Sequence, residues 1–266
     1  MQRQLKIVHT SDVHLDSNGT STPVDGFRSR AERAFAGVVD TALEVNADLL
    51  LIAGDLFDNN RVDDTNIDFV YGQFARLRPG QCQVVMLPGN HDVHDATSVW
   101  NRFDFDAAGE HVHGLMAHGG TSVKLADLGV TVWGKAMFEH APENYPLDGS
   151  PDRHDGHWNV GMAHGQVVDE RIDQVSSPIT REEIETSGFD YLALGHIHVW
   201  ADHSEGSTKA YYCGSPVAHY AGAGGGKVAV VTLCPEAGVE VSSRQVTDWD
   251  ADDKEETRGY GNGFPW

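Results

Sequence analysis

Seven side chains, Asp12, His14, Asp55, Asn90, His164, His196 and His198, place carboxylate, amide and imidazole groups at the ends of short apolar runs. Mixed oxygen and nitrogen donors of this kind suit Mn, Fe or Zn better than Ca or a thiolate-held ion. Seven donors are too many for one tetrahedral site and fit two ions sharing a carboxylate. A pair of ions about 3.5 to 4 Å apart is the clamp used for in-line displacement at phosphorus. Single segments would not carry this reading. Gly54-Asp55 alone reads better as a helix cap, Ser11-Asp12-Val13-His14 as an Asp turn beside a surface histidine, and a lone His196-Ile197-His198 is weak. Repetition supports it: an apolar run, then Gly or Ser, then Asp, Asn or His, occurs at four places, and a fifth run ends at His164-Gly165.

The elements that must position these groups follow from the same pattern. Leu49-Leu50-Leu51-Ile52-Ala53, bounded by Asp48 and Gly54, has the length and continuity of a strand buried on both faces. Gly54 permits a sharp turn that projects Asp55 from the strand's carboxyl end, where ligands of open α/β sheets sit. Leu5 to Thr10 is a shorter strand, after which Asp12 and His14 are expected on one side of an extended backbone. Between them, Phe27, Phe35, Val38, Val39, Ala42 and Leu43 recur at helical spacing and predict a crossover helix over 27–46, giving a right-handed βαβ unit. Ile67, Val70, Tyr71, Phe74 and Leu77 predict a second helix, stopped by Pro79-Gly80. A strand from Cys82 to Leu87 then empties into Pro88-Gly89-Asn90-His91-Asp92. Asn159 to Ala163 ends at His164-Gly165. Thr180-Arg181-Glu182-Glu183 has the form of a capping box that starts a short helix, and Tyr191 to Leu194 runs into Gly195-His196-Ile197-His198. Further strands are expected at 209–213, 227–233 and 239–246.

Composition bounds the rest. The 266 residues permit one domain with a substantial core, expected over 1–247, with 248–266 as an acidic and Gly-rich tail. No apolar run approaches the roughly 20 residues of a membrane span, and Met1 to Lys6 has no signal-peptide core, so a cytoplasmic protein is expected. Cys82, Cys213 and Cys234 are odd in number and far apart, which argues against a disulfide framework. The balance of 19 Lys plus Arg against 40 Asp plus Glu gives a net charge of -21, which repels polyanions, so contact with nucleic acid needs metal ions or a local patch. His111, His113, His118, His140, His154 and His157 lack strand-end context and are assigned to solvated loops. The run Ala221 to Gly226 reads as a hairpin connection, because no Walker-type Lys-Ser/Thr helix follows it.

The ordered set Asp-x-His, Gly-Asp-Leu-Phe-Asp, Gly-Asn-His-Asp, His-Gly and Gly-His-Ile-His resembles the calcineurin-like metallophosphoesterases across most of residues 5–233. Within them, Asp55-Leu56-Phe57-Asp58, Tyr191 to His198 and Cys213-Gly214-Ser215-Pro216 are most similar to the bacterial SbcD and YhaO type of DNA repair exonuclease. The resemblance implies an α/β fold, a four-layer α-β-β-α sandwich of two mixed sheets flanked by helices, and a metal-dependent phosphodiesterase or nuclease using two divalent ions, Mn2+ foremost, with Fe or Zn as alternatives. It implies that Asp12, His14, Asp55 and His198 hold one ion while Asp55, Asn90, His164 and His196 hold the other. It further implies that His91 contacts the phosphate and protonates the leaving oxygen, and that Asp58 orients His91. Archaeal and eukaryotic nucleases of the group carry His where Asp58 stands, so their phosphate contacts do not transfer. The expected substrate is DNA ends or single strands. The alternatives are a small nucleotide-like phosphodiester or phosphomonoester, and a non-catalytic metal-bound scaffold. An ATPase partner of the SbcC type is also implied, but the capping domain and docking segment that such nucleases add find no counterpart after the last core strand.

Overall fold

Strand periodicity assigns each residue of the central run to a layer. The computed structural model describes residues 2–16, 26–78, 82–171, 174–218 and 225–247. The tail 248–266, positions 221–224 of the glycine-rich loop and Pro79-Gly80 lie outside them. In β1 (Leu5–Thr10), β2 (Leu49–Ala53) and β3 (Gln83–Leu87), Val8, Leu50, Ile52, Val84 and Met86 face a core shared with α1 (Arg30–Glu44), α2 (Asp64–Ala75) and α3 (Phe105–Ala108). The alternate residues Ile7, Leu49, Leu51, Ala53, Val85 and Leu87 face a second core between two sheets. Complete burial of a Leu or Ile side chain stabilises by roughly 1.5–3 kcal/mol, so an unbroken apolar run is what a doubly covered strand requires.

The first sheet has the order β14-β13-β1-β2-β3-β4, with β4 at Val112–Gly114, β13 at Lys227–Cys234 and β14 at Gly238–Gln245. Its members β1 to β4 run parallel, so β1, β2 and β3 all release their chains at one edge. The second sheet has the order β11-β12-β10-β7-β6-β5, built from β5 (Thr121–Leu125), β6 (Val130–Gly134), β7 (Trp158–His164), β10 (Tyr191–Gly195), β11 (Ala201–Asp202) and β12 (Lys209–Tyr212). A small parallel pair, β8 (Gln166–Val168) with β9 (Pro178–Thr180), lies outside both. The outer face of the second sheet packs Ala163, Leu192, Leu194 and Tyr212 against Ile184 of α4 (Arg181–Thr186) and Phe189. The four layers are therefore helix, sheet, sheet and helix, with both sheets mixed, as expected.

Boundaries shift for local reasons. The helix predicted from Phe27 starts at Arg30, because Ser29 is extended and its side chain accepts from the Glu32 N–H as an N-cap. At α4 the predicted capping box is present, with Thr180 and Glu183 exchanging side-chain-to-backbone bonds. Two of the histidines assigned to solvated loops are not there. His111 is buried and donates from Nε2 to the Phe74 carbonyl at 3.0 Å, while His113 lies on β4 with Nε2 2.9 Å from Gln83 Oε1. Cys82 and Cys213 are buried and Cys234 half-buried, all three as free thiols. Among the described residues no helix is long and apolar enough to cross a membrane.

Candidate metal centre

All seven predicted ligands lie at or just beyond the carboxyl ends of strands of the two face-to-face sheets. The approach is close: a Cβ on Gly54, at φ +89°, would lie 2.1 Å from His164 Nδ1, and one on Gly89 2.2 Å from Asp55 Oδ1. Only glycine fits at either place, which explains the Gly before Asp55 and the Gly before Asn90. The extended backbone expected at Asp12 and His14 is not what forms. Asp12, His14, Asp55 and His196 have φ of 55°, 54°, 53° and 100°. Side chains rarely occupy that left-handed region, and each such residue costs of order 1–3 kcal/mol. The N–H groups of Val13 and His14 both donate to the Asp55 carbonyl, at 2.9 and 3.0 Å, so the two loops hold one another in this geometry. The turn brings both side chains of the first motif inward where an extended strand would have carried them past the site.

The donors gather around Asp55. Its Oδ2 lies 3.3 Å from His164 Nε2 and 3.9 Å from His14 Nε2, and its Oδ1 accepts from the His91 N–H at 2.9 Å. On one side stand Asp12, His14 and His198, with His14 Nε2 and His198 Nε2 3.3 Å apart. On the other, Asn90 Oδ1 is 2.9 Å from both His164 Nε2 and His196 Nδ1. The His164 Nδ1–H donates to the Ala53 carbonyl at 2.8 Å, which fixes the tautomer and leaves the Nε2 lone pair facing the oxygens of Asn90 and Asp55. That nitrogen faces two oxygens and so calls for positive charge, supplied by a proton when no metal is bound; the same nitrogen and oxygens fit one of a pair of divalent cations that share Asp55.

The electrostatics agree. Burial would raise the Asp55 carboxyl, but His164 first, then His14 and His91, hold it well below the usual carboxylate range. Burial would lower His164, yet the Asp55 charge and hydrogen bond outweigh it and raise its pKa to about 9. His196 goes the other way, pushed by burial and by His164 down to about 4. The shifts are opposite because the Asp55 carboxylate lies directly against His164, whereas at His196 burial and the His164 charge prevail.

The catalytic pair of the sequence reading, His91 and Asp58, sits on the outer side of the centre, 44% and 40% exposed. The His91 Nδ1–H donates to the backbone carbonyl of Asp58 at 2.8 Å, with the carboxylate farther away at 3.7 Å. The Asp58 carboxylate is nearer to His14, 3.4 Å from Nδ1. Arg61 is exposed on the same loop.

Several residues here had no role from sequence. Asp92, wholly buried, accepts from Gly89 N–H at 2.7 Å and Phe57 N–H at 3.1 Å, stapling the two ligand loops; burial and then Asp55 push its carboxyl up to about 7. The Ser11 hydroxyl donates to Asp12 Oδ2. His140, assigned to a solvated loop, sets its ring 5.3 Å from that of His196. Ser215, from the Cys-Gly-Ser-Pro segment, is buried; its hydroxyl donates to the Asp12 carbonyl at 2.7 Å while its N–H donates to the His198 carbonyl at 3.0 Å. One residue thus fastens the two loops that carry Asp12 and His198. Ser215→Ala is expected to weaken metal binding on the Asp12, His14 and His198 side by about 10- to 100-fold, the usual cost of losing an outer partner of a ligand, and to leave the Asn90, His164 and His196 side unchanged. A manganese titration that resolves two binding events checks this, and equal weakening of both events counts against it.

The sequence profile of the family described as Calcineurin-like phosphoesterase matches residues 5–200. The protein named Uncharacterized metallophosphoesterase YhaO of Bacillus subtilis is 30% identical over 212 residues, covering 74% of this chain and 50% of its own. The DNA double-strand break repair protein Mre11 of Methanopyrus kandleri is 25% identical over 234 residues, 80% of this chain and 49% of its own. The chain spans about half the length of these relatives. A solved dimetal phosphatase from Danio rerio shares the fold, with a TM-score of 0.54 at 11% identity over 91% of this chain and 99% of that one.

Proposed function

The chain belongs to the calcineurin-like phosphoesterase family and is a metal-dependent phosphoric ester hydrolase, and from that premise we propose that its substrate is a nucleic-acid phosphodiester, cleaved at ends or in single strands. The observation that carries this reading is the likeness, across most of the chain, to a protein named for double-strand break repair. The geometry supports it in one respect. Asp12 and Asp55 are buried, whereas His91, Asp58 and His198 are 44%, 40% and 30% exposed, so the centre is open on the side where a long substrate would lie.

In this reading Asp12, His14, Asp55 and His198 hold one ion, and Asp55, Asn90, His164 and His196 the other. Bound there, two divalent ions would supply a water of lowered pKa and neutralise charge on the phosphoryl oxygens. The protein's own groups do the remaining work. The His91 N–H, bonded to Asp55 Oδ1, ties the acid's loop to the shared carboxylate. The Asp58 carbonyl accepts the hydrogen bond from the Nδ1–H, which leaves Nε2 as the nitrogen that delivers a proton to the leaving oxygen. The Asp58 carboxylate stands 3.7 Å from the same Nδ1.

A second reading, a small phosphodiester or phosphomonoester as substrate, draws on the net charge of -21, which opposes a polyanion at long range. A single assay separates the two. With manganese, release of nucleotides from single-stranded DNA is expected. Cleavage of bis-p-nitrophenyl phosphate or a cyclic nucleotide, with no cleavage of any DNA or RNA, rejects the nuclease reading and keeps the second; preference for p-nitrophenyl phosphate places the substrate among monoesters.

A further inference from the structure

A half-buried phenylalanine belonging to none of the three apolar cores lies two residues from a histidine whose ring meets that of His196. Phe138 lies in the loop that leaves β6, and the rings of His94 and His118 each come within 5.0 Å of its ring, at interplanar angles of 46° and 63°. Two residues on, His140 meets His196 edge-on at 5.3 Å. The arc His94, His118, Phe138 and His140 is therefore continuous with the Asn90, His164 and His196 side of the centre.

Topology makes this placement general. The loops bearing His94, His118 and Phe138 follow β3, β4 and β6. β4 is parallel to β3, whose carboxyl end carries Asn90 and His91, and β6 is parallel to β7, which ends at His164. All three loops thus open onto the rim that holds the centre. They are also laced together: His94 N–H donates to the Met137 carbonyl at 2.8 Å, His94 Nδ1–H to the Met116 carbonyl at 3.2 Å, and Ala136 N–H to the Ala117 carbonyl at 3.3 Å. The arc is a fixed surface contributed by both sheets.

Its chemistry selects the ligand. None of its four members is Lys or Arg, so it offers no track for a phosphate backbone. What the arc presents is ring faces and edges and imidazole donors and acceptors, the equipment for a flat heteroaromatic ring with polar edges. A phosphate held at the centre would leave an attached nucleoside beside this wall.

We propose that Phe138, framed by His94 and His118, is the stacking platform for an unpaired nucleobase next to the scissile phosphate. The proposal rests on the nuclease reading for its substrate class, and it adds that the base must be unstacked from its duplex neighbours, because a base inside a duplex has both faces covered. Base stacking on an aromatic side chain is commonly worth about tenfold in affinity or more.

Titration calorimetry of the full chain in manganese, with dAMP and deoxyribose 5-phosphate as probes, tests it without reliance on turnover. The wild type is expected to bind dAMP about tenfold more tightly than the base-less sugar phosphate. Phe138→Ala and Phe138→Leu are expected to bring the two affinities together while deoxyribose 5-phosphate binding and metal content stay unchanged; Phe138→Trp is expected to retain the preference. Equal affinities in the wild type, binding of neither probe, or a preference that survives Phe138→Ala overturns the platform. Base preference that depends on Phe138 in a protein that cleaves no nucleic acid would instead reject the nuclease reading and leave the platform standing for a mononucleotide.

Discussion

Asp55→Asn is expected to abolish hydrolysis, by at least about 1,000-fold, and to empty both metal positions together. The size of the effect follows from the sharing. Every other candidate ligand lies to one side of the centre, whereas Asp55 faces His14 and His164 from a single oxygen and receives the His91 N–H on the other. Asparagine keeps the shape and the acceptor for His91 but removes the negative charge that lets two dications stand about 4 Å apart. Metal analysis after gel filtration is expected to find well under one ion per chain, where Asn90→Ala or His198→Ala each retain one. Retention of two ions in Asp55→Asn would sink the shared-carboxylate geometry.

The same substitution has a signature in chelator. The Asp55 pKa is held below its ordinary 3.8, so its contribution is present above that value and lost as pH falls through the folded-state pKa. The His164 pKa is raised from 6.5 to about 9, so its contribution is full below 6.5 and is lost as pH rises towards 9. The pair therefore favours the fold most between pH 4 and 6.5. With EDTA present, Asp55→Asn is expected to depress the melting temperature more at pH 6 than at pH 9. Desolvation of two buried charges offsets part of the gain, so the difference is a few degrees at most.

What could be read without coordinates, and what could not, divides by range. The strand ends were legible because each is written in consecutive residues: a run such as Leu49 to Ala53 sorts into two cores by strict alternation, and the polar pair that follows has only the strand's end to occupy. The turn conformations were not. Periodicity predicts an extended path through Asp12 and His14, while the left-handed φ values there depend on bonds to the Asp55 loop some forty residues away. Ser215 lies 203 residues from the Asp12 carbonyl it fastens, and no local pattern announces such a pairing. His113 reads as loop because its three-residue strand β4 is too short for alternation to appear, and the burial of His111 in the turn before it depends on a bond to the Phe74 carbonyl 37 residues away. His140 reaches the centre by way of a loop after a strand whose own end carries no ligand, so the strand-end rule passes over it.

His91→Ala is expected to lower kcat by about 100- to 10,000-fold, the range for loss of a positioned general acid, with two metals still bound. The metals stay because His91 touches Asp55 through its backbone N–H, which alanine preserves. The loss should depend on the leaving group. A nucleoside alkoxide needs a proton as the bond to phosphorus breaks, whereas p-nitrophenolate leaves readily without one, so the deficit is expected to be large for a dinucleotide and small for bis-p-nitrophenyl phosphate. A pH profile of kcat/KM adds a second readout: the basic limb, which reports deprotonation of the acid in the free enzyme, should vanish in the variant. Asp58→Asn is the informative companion. Because the His91 Nδ1–H bonds to the Asp58 main chain and the carboxylate stands off at 3.7 Å, asparagine leaves the ring in place and removes only a nearby charge. A modest fall in kcat is then expected, far smaller than that of His91→Ala. An equal deficit for both leaving groups in His91→Ala, or an unchanged basic limb, would take the proton-donor role away from His91 and leave it as a phosphate contact.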